Sequence, residues 1–329
     1  MTAETEPVSL TSIAKSHRIS PKEFDKQYKN HLSGFHKWDQ KEHADKWLLF
    51  PENIGSHLSI DEVAVTNGEL YTVLTNKAAK GSKGALVSVV AGTKATDIIE
   101  ILAKIPVEQR NTVKEVTLDM SSSMEAIVRS SFSKATAVTD RFHVQQLVSE
   151  ALQEMRISLR RETLKQENEA IKKARVNHQK YTSAIYENGD TKRQLLARSR
   201  FLLFKSKSKW TISQTTRAGI LFKEFPELEK AYELSMMFRS CYEHSHSMAE
   251  ARKKLKAWQE KIAEKNIESF NVAAESISLR EDTILNYFIN RSTNASAESF
   301  NAKLKGFRSL VRGVTDKKFF LFRVSRLYG

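Results

Sequence analysis

Three acidic residues, far apart along the chain, have the settings of a phosphoryl-transfer site: Asp61, Asp119 and Glu298. Asp61 is set within an apolar, β-branched run from His57 to Val65. Asp119 ends a second such run, Val113 to Leu118, just before Ser121-Ser122-Ser123. Glu298 lies in a helical pattern that opens at Ala295. Hard divalent cations take carboxylate oxygens and keep several waters, so such a set needs no histidine or cysteine. Two Mg²⁺ ions about 3.5–4 Å apart, with Mn²⁺ able to substitute, stabilise the attacking and leaving oxygens of an in-line displacement at phosphorus. Asp61, Asp119 and Glu298 are thus the expected catalytic residues and also the expected metal ligands. Glu62, next to Asp61 on a strand, is expected on the opposite face and outside the set. Asp97 and Glu100 read as solvated positions of a helix.

Carboxylates so distant in sequence can meet only at a shared edge of a sheet. His57 to Val65 reads as a strand, and Asn67-Gly68 between two apolar runs is a strong hairpin signal, with Leu70 to Leu74 returning. Ala85 to Val90 forms a third strand. Thr93 to Ile105 has helical spacing, with Ile98, Ile99 and Leu102 on one face. The Val113 strand follows, then a helix carrying Met124, Ile127, Val128 and Phe132, then a strand from Ala135 that stops at Asp140. This order matches an α/β fold with a ribonuclease H-like mixed sheet flanked by helices. The first and fourth strands lie side by side in such a sheet, and chemistry is usual at strand carboxyl ends.

From Val144 to about Tyr287 only helices are expected: a long one to about Lys180, a break at Asn188-Gly189-Asp190, then further amphipathic segments. The boundaries expected are a tail and short helical segment at 1–54, with 1 to about 20 mobile, a first part of the catalytic core at 55–146, an all-helical insertion at 147–288, and the last core helix with a basic segment at 289–329. Lys205 to Trp210 is a candidate DNA-contact loop, although Trp210 suits a core equally well.

The chain has 53 Lys and Arg against 39 acids, a net charge of +14. Neutralised phosphates release counterions, so a basic surface of this size suits a polyanionic partner. The basic residues crowd the end: from Ala302 onward Lys303, Lys305, Arg308, Arg312, Lys317, Lys318, Arg323 and Arg326 face only Asp316, interleaved with Phe307, Leu310, Phe319, Phe320, Phe322 and Leu327. Such a pattern fits a DNA backbone groove or a solvated face. Asn301 and Lys305 share a helix face with Glu298, at i+3 and i+7. One cysteine, Cys241, excludes a disulfide framework and a Cys-rich zinc finger. There is no apolar run of membrane-spanning length and no signal peptide, so an intracellular, non-membrane protein is expected.

Leu118-Asp119, Val138-Thr139-Asp140-Arg141-Phe142-His143-Val144 and Asn294, Glu298, Asn301 and Lys305 with their spacing resemble the DDE transposases of bacterial insertion sequences, closest to the ISL-three type. The resemblance covers about residue 55 to the end. It implies a ribonuclease H-like core interrupted by an all-helical insertion, and Asp61, Asp119 and Glu298 as the triad that uses Mg²⁺ to cut and transfer DNA strands at transposon ends. Asp140 and His143 then form a D-x-x-H motif, accessory to the site and not among the three ligands. Arg141, Asn301, Lys303, Lys305, Arg308, Arg312, Lys317 and Lys318 are the DNA contacts expected. Partners would be double-stranded transposon ends and target, and further copies of the chain assembled on DNA, at the bacterial nucleoid in the cytoplasm. Such relatives usually have an N-terminal zinc module and helix-turn-helix; here glycines flanking the glutamate give way to Ala295 and Ser299, and about 55 residues precede Asp61. Recognition is therefore expected from a separate polypeptide, or the chain is a truncated relative. Two other readings use the same features: an inactive DNA-binding or assembly relative, and a ribonuclease H-like nuclease without strand transfer.

Overall fold

The computed structural model describes residues 2–66 and 68–329, with Thr66 described by its backbone only. The chain divides into two compact units, residues 1–140 with 290–329, and residues 141–289.

The first unit is built on a six-stranded sheet in the order β1-β4-β3-β2-β5-β6. The strands are β1 (Trp47–Leu49), β2 (His57–Thr66), β3 (Glu69–Asn76), β4 (Leu86–Ala91), β5 (Glu115–Leu118) and β6 (Thr136–Thr139). The β2–β3 hairpin pairs Thr66 with Glu69; Asn67, on which the turn signal rested, lies outside the described residues. β2 pairs with β5 in parallel, which is the expected adjacency of the first and fourth core strands. β1 is an edge strand that the sequence pattern did not disclose. Three residues are too few to show alternation, and they end a stretch with helical spacing.

Alternation divides the sheet residues between two apolar layers. Leu58, Ile60, Val116 and Leu118 pack with Ile98 and Leu102 of α4 (Ala95–Leu102), and with Met124, Ile127 and Val128 of α6 (Ser122–Ser131). A short helix, α5 (Val107–Arg110), lies between α4 and β5. The other face, through Val63, Val65, Tyr71 and Val73, receives Phe300, Leu304 and Phe307 of α15 (Ala295–Leu310) and Phe320, Leu321 and Val324 of α16 (Lys317–Tyr328). The most C-terminal residues thereby become the roof of the sheet.

The N-terminal residues are not a loose tail. They form α1 (Thr2–Thr5), α2 (Leu10–Ser16) and α3 (Pro21–Gln27), with Ser9 and Ser20 as N-caps. Arg323, buried in α16, donates to the carbonyls of Ala3 and Val8 at 2.9–3.1 Å. That contact links residues over 300 positions apart, which no local pattern could signal.

The second unit is helical. It holds α7 (Arg141–Val176), α8 (Lys192–Arg198), α9 (Ile212–Glu224), α10 (Pro226–Glu243), α11 (Met248–Lys265), α12 (Glu268–Ser278), α13 (Glu281–Leu285) and most of α14 (Tyr287–Asn290). Leu255, Trp258 and Ile262 are its buried stripe on α11, and the Trp258 indole donates to the Leu234 carbonyl at 2.9 Å. The break after α7 is held by Asp190. Its carboxylate accepts from Arg217 at 2.8 Å, from Arg198 and from Asn188, while Thr191 caps α8. Trp210 lies half-buried against Phe222 and Tyr232 and donates to the Leu202 carbonyl, so part of its surface packs within this unit. No helix among the described residues is long and apolar enough to cross a membrane.

Candidate active site

β2, β5 and β6 are adjacent and parallel, and their register aligns the three aspartates. Ser59 lies opposite Thr117, and Thr117 opposite Val138. Two residues further along each strand, Asp61, Asp119 and Asp140 stand abreast, and period-two alternation turns all three to the face roofed by α15. Asp119 and Asp140 fall just past their strands, where the backbone stops pairing and side chains reach the carboxyl-end crevice.

Each carboxylate is held by a backbone or amide donor. The Asp61 carboxylate accepts the N–H of Glu62 at 2.8 Å on one oxygen and the side-chain amide of Asn301 at 2.8 Å on the other. Asp119 accepts the Ser121 N–H at 2.8 Å, which orients it at the start of α6. Asp140, only 2% exposed, accepts the backbone N–H of Asn294 at 3.1 Å. Glu298 is exposed on the first turn of α15, and one of its oxygens comes within 4.8 Å of an Asp140 oxygen. Asp61 and Asp119 do not join so tight a group with Glu298 among the described residues. The aspartate grouped with the glutamate is thus Asp140, a residue expected to be accessory. His143 sits half-buried one turn after Asp140, at the start of α7 and in the other unit.

A buried polar seam fixes where α15 begins. The return segment lies along β5 and β2: Asn290 donates to Glu115 at 3.0 Å, the Thr117 hydroxyl donates to Asn294 at 3.0 Å, and the Asn294 amide reaches the Ile60 carbonyl at 3.4 Å. Asn294 is fully buried. Burial would raise the Glu115 carboxyl, but hydrogen bonds from Ser292 and Asn290 and the Lys77 ammonium outweigh it and hold the group below its ordinary range. Glu298 and Asn301 take their positions from this seam, because they follow Asn294 by one and two helical turns.

Glu62 departs from expectation. Strand alternation sets its backbone direction as expected, but its carboxyl is raised by burial and then by the negative charges of Asp119 and Asp61. Asn301 also differs from the expected DNA contact: it is 5% exposed and occupied with Asp61. Its signal lay in its neighbours, since Ala297, Phe300, Leu304 and Phe307 make the buried stripe on both sides of it.

Several expected DNA contacts are engaged within the chain. Lys303 donates to the Gly81 carbonyl at 2.7 Å, Arg308 to the Ala64 carbonyl at 3.5 Å, Lys317 pairs with Glu69, and Lys318 donates to the Glu42 carbonyl. Arg141 donates to the Tyr287 hydroxyl at 3.2 Å and lies over Tyr242. Lys305 is exposed, on the same helix face as Glu298 and Asn301.

A family model described as a transposase, of the DDE class and the ISL-three type, matches residues 58–324. The chain belongs to this family. No curated protein matches it. The match begins in β2 and ends in α16, so Asp61, Asp119, Asp140, Glu298 and the whole helical unit lie within the transposase span. Membership in a DDE transposase family implies divalent metal, and the residues present suit one. The side chains at the strand ends are hard oxygen donors. The buried Asn301 side-chain oxygen beside Asp61 has no hydrogen-bond partner in the protein, as a group awaiting a further donor would.

Proposed function

We propose that this chain cuts and transfers DNA strands at the ends of an insertion sequence, with Asp61, Asp119 and Glu298 as its catalytic metal ligands. The observation that carries the reading is the register: three strand-end aspartates abreast under the helix that bears Glu298, in a chain matching a transposase family over residues 58–324. Mg²⁺, two ions with Mn²⁺ as substitute, would supply charge stabilisation for the attacking and leaving oxygens at phosphorus. The protein's part is to orient the acids: Ser121 holds Asp119, and the buried Asn290–Asn294 seam sets the height of Glu298. Asp140 and His143 are accessory groups beside the site. Lys305 faces the incoming phosphodiester backbone, with the remaining basic residues adding long-range attraction. The substrate is double-stranded DNA at element ends and target. The active form is an assembly of copies on DNA, in the bacterial cytoplasm at the nucleoid.

The test is nicking and joining of a DNA end by the full chain with Mg²⁺ or Mn²⁺. Asp119→Asn is expected to remove activity by about a thousandfold or more, the scale on which loss of one transition-state charge partner is felt. Nicking that persists in Asp119→Asn rules the reading out. Nicking without joined products in the wild type leaves a nuclease, and metal-independent DNA binding alone leaves an inactive relative.

A further inference from the structure

Asn301 is the least expected member of the site. It sits among Ala297, Phe300 and Leu304 on the apolar stripe of α15, where an amide is costly unless its hydrogen bonds are made. Its nitrogen is used twice, donating to Asp61 at 2.8 Å and to the Glu62 carbonyl at 3.3 Å. Its oxygen is used by no protein donor, although the side chain is 5% exposed. A leucine of nearly the same shape would fill the position without that cost.

We propose that Asn301 is a positioning residue for Asp61, and that its side-chain oxygen is left open to accept a hydrogen bond from a water on the bound cation. This rests on the reading of Asp61 as a metal ligand given above. Between them, the Glu62 N–H and the Asn301 amide engage both Asp61 oxygens and fix the plane of the carboxylate. A carboxylate so fixed presents its remaining lone pairs in a set plane, and partners of this kind tune metal affinity through the ligand they orient. Because the clamp comes from α15, one turn beyond Glu298, docking of that helix sets the orientation of Asp61 and the location of Glu298 together.

The experiment is Mn²⁺ binding to the full chain, followed by electron paramagnetic resonance, with the melting temperature measured on the same samples. Asn301→Leu is expected to weaken Mn²⁺ binding about tenfold, the lower end of the loss seen when a ligand's orienting partner is removed. Its Tm is expected to hold or rise, because an unpartnered buried oxygen is gone. Leu304→Ala, one turn on in the same helix, is expected to lower Tm without that change in affinity. If Asn301→Leu does not fold, Asn301→Ser is read in the same way. Unchanged Mn²⁺ affinity in a folded Asn301 variant overturns the proposal. Wild-type Mn²⁺ binding that is insensitive to Asp61→Asn instead overturns the underlying metal-ligand reading, so the two failures are told apart.

Discussion

Asn294 shows how one side chain can set a site without belonging to it. Fully buried, its side chain links Thr117 and Ile60 on two strands, and its backbone N–H adds Asp140 on a third. Asn294→Ala would remove the side-chain bonds to Thr117 and Ile60 and leave Thr117 with Ser59 and the Leu58 carbonyl, and is expected to cost about 2 kcal/mol, the scale of two buried hydrogen bonds lost. Urea titration of the full chain checks this; a cost below about 0.5 kcal/mol would mean the seam is not structural. Cys241 is a second residue whose environment decides its chemistry. Burial pushes its thiol up to about 11, so it is expected to stay unreactive towards a disulfide reagent near neutral pH and to react once the chain is unfolded. Rapid labelling of the native chain would contradict the packing around α10. The strand positions of Asp61 and Asp119 were legible in the sequence, because one charge is set within an apolar run and the other ends one. Asn301 was not, since whether an amide faces a phosphate or a carboxylate depends on what packs above it.

Among the elements, α15 joins the sheet to the residues of the proposed site. It carries Glu298 on its exposed first turn, Asn301 on its buried stripe and Lys305 exposed beyond them. The basic character of the last segment was plain from composition, but its use was not. Lys303 is tied to the Gly81 carbonyl and Lys317 to Glu69, whereas Lys305 is exposed on the face of Glu298. Lys305→Ala is therefore expected to reduce the slope of log affinity for DNA against log salt by about 1, and Lys303→Ala to change it little. Equal effects from the two variants would show that Lys303 leaves its carbonyl when DNA binds. The strand order, the crossover helices and the helical insertion were readable from period and breakers. The edge strand β1 and the docked N-terminal helices were not, because the first is short and the second depend on Arg323, far away in the chain.

Across the whole molecule, buried ion pairs make stability depend on pH in a definite direction. Glu115 in the first unit and Asp190 in the second are both held below their ordinary values: burial opposes ionisation, but Ser292, Asn290 and Lys77 at Glu115, and Arg217 and Arg198 at Asp190, outweigh it. A depressed folded pKa stabilises the fold above the unfolded pKa and loses that contribution as pH falls through the folded one. Glu62, raised by burial and by Asp119 and Asp61, works in the opposite sense, since protonating it on acidification relieves the fold. The melting temperature is thus expected to be flat near neutrality and to drop below about pH 4.5, with a shallower drop in Glu115→Gln. A Tm profile unchanged by that substitution would mean the Lys77–Glu115 pair does not support the fold. Metal at the acid cluster should raise Tm as well, by mass action on the folded state.

The proposed meeting of Asp61, Asp119 and Glu298 around divalent metal can be mapped directly. Fe²⁺ in place of Mg²⁺, with ascorbate and peroxide, generates radicals that cut the polypeptide next to the bound ion. Cuts are expected in three separate segments, around Asp61, around Asp119 and Asp140, and around Glu298, all suppressed by excess Mg²⁺ and all lost in Asp61→Asn. Cuts that spare the Glu298 segment, or that persist in Asp61→Asn, would contradict that meeting.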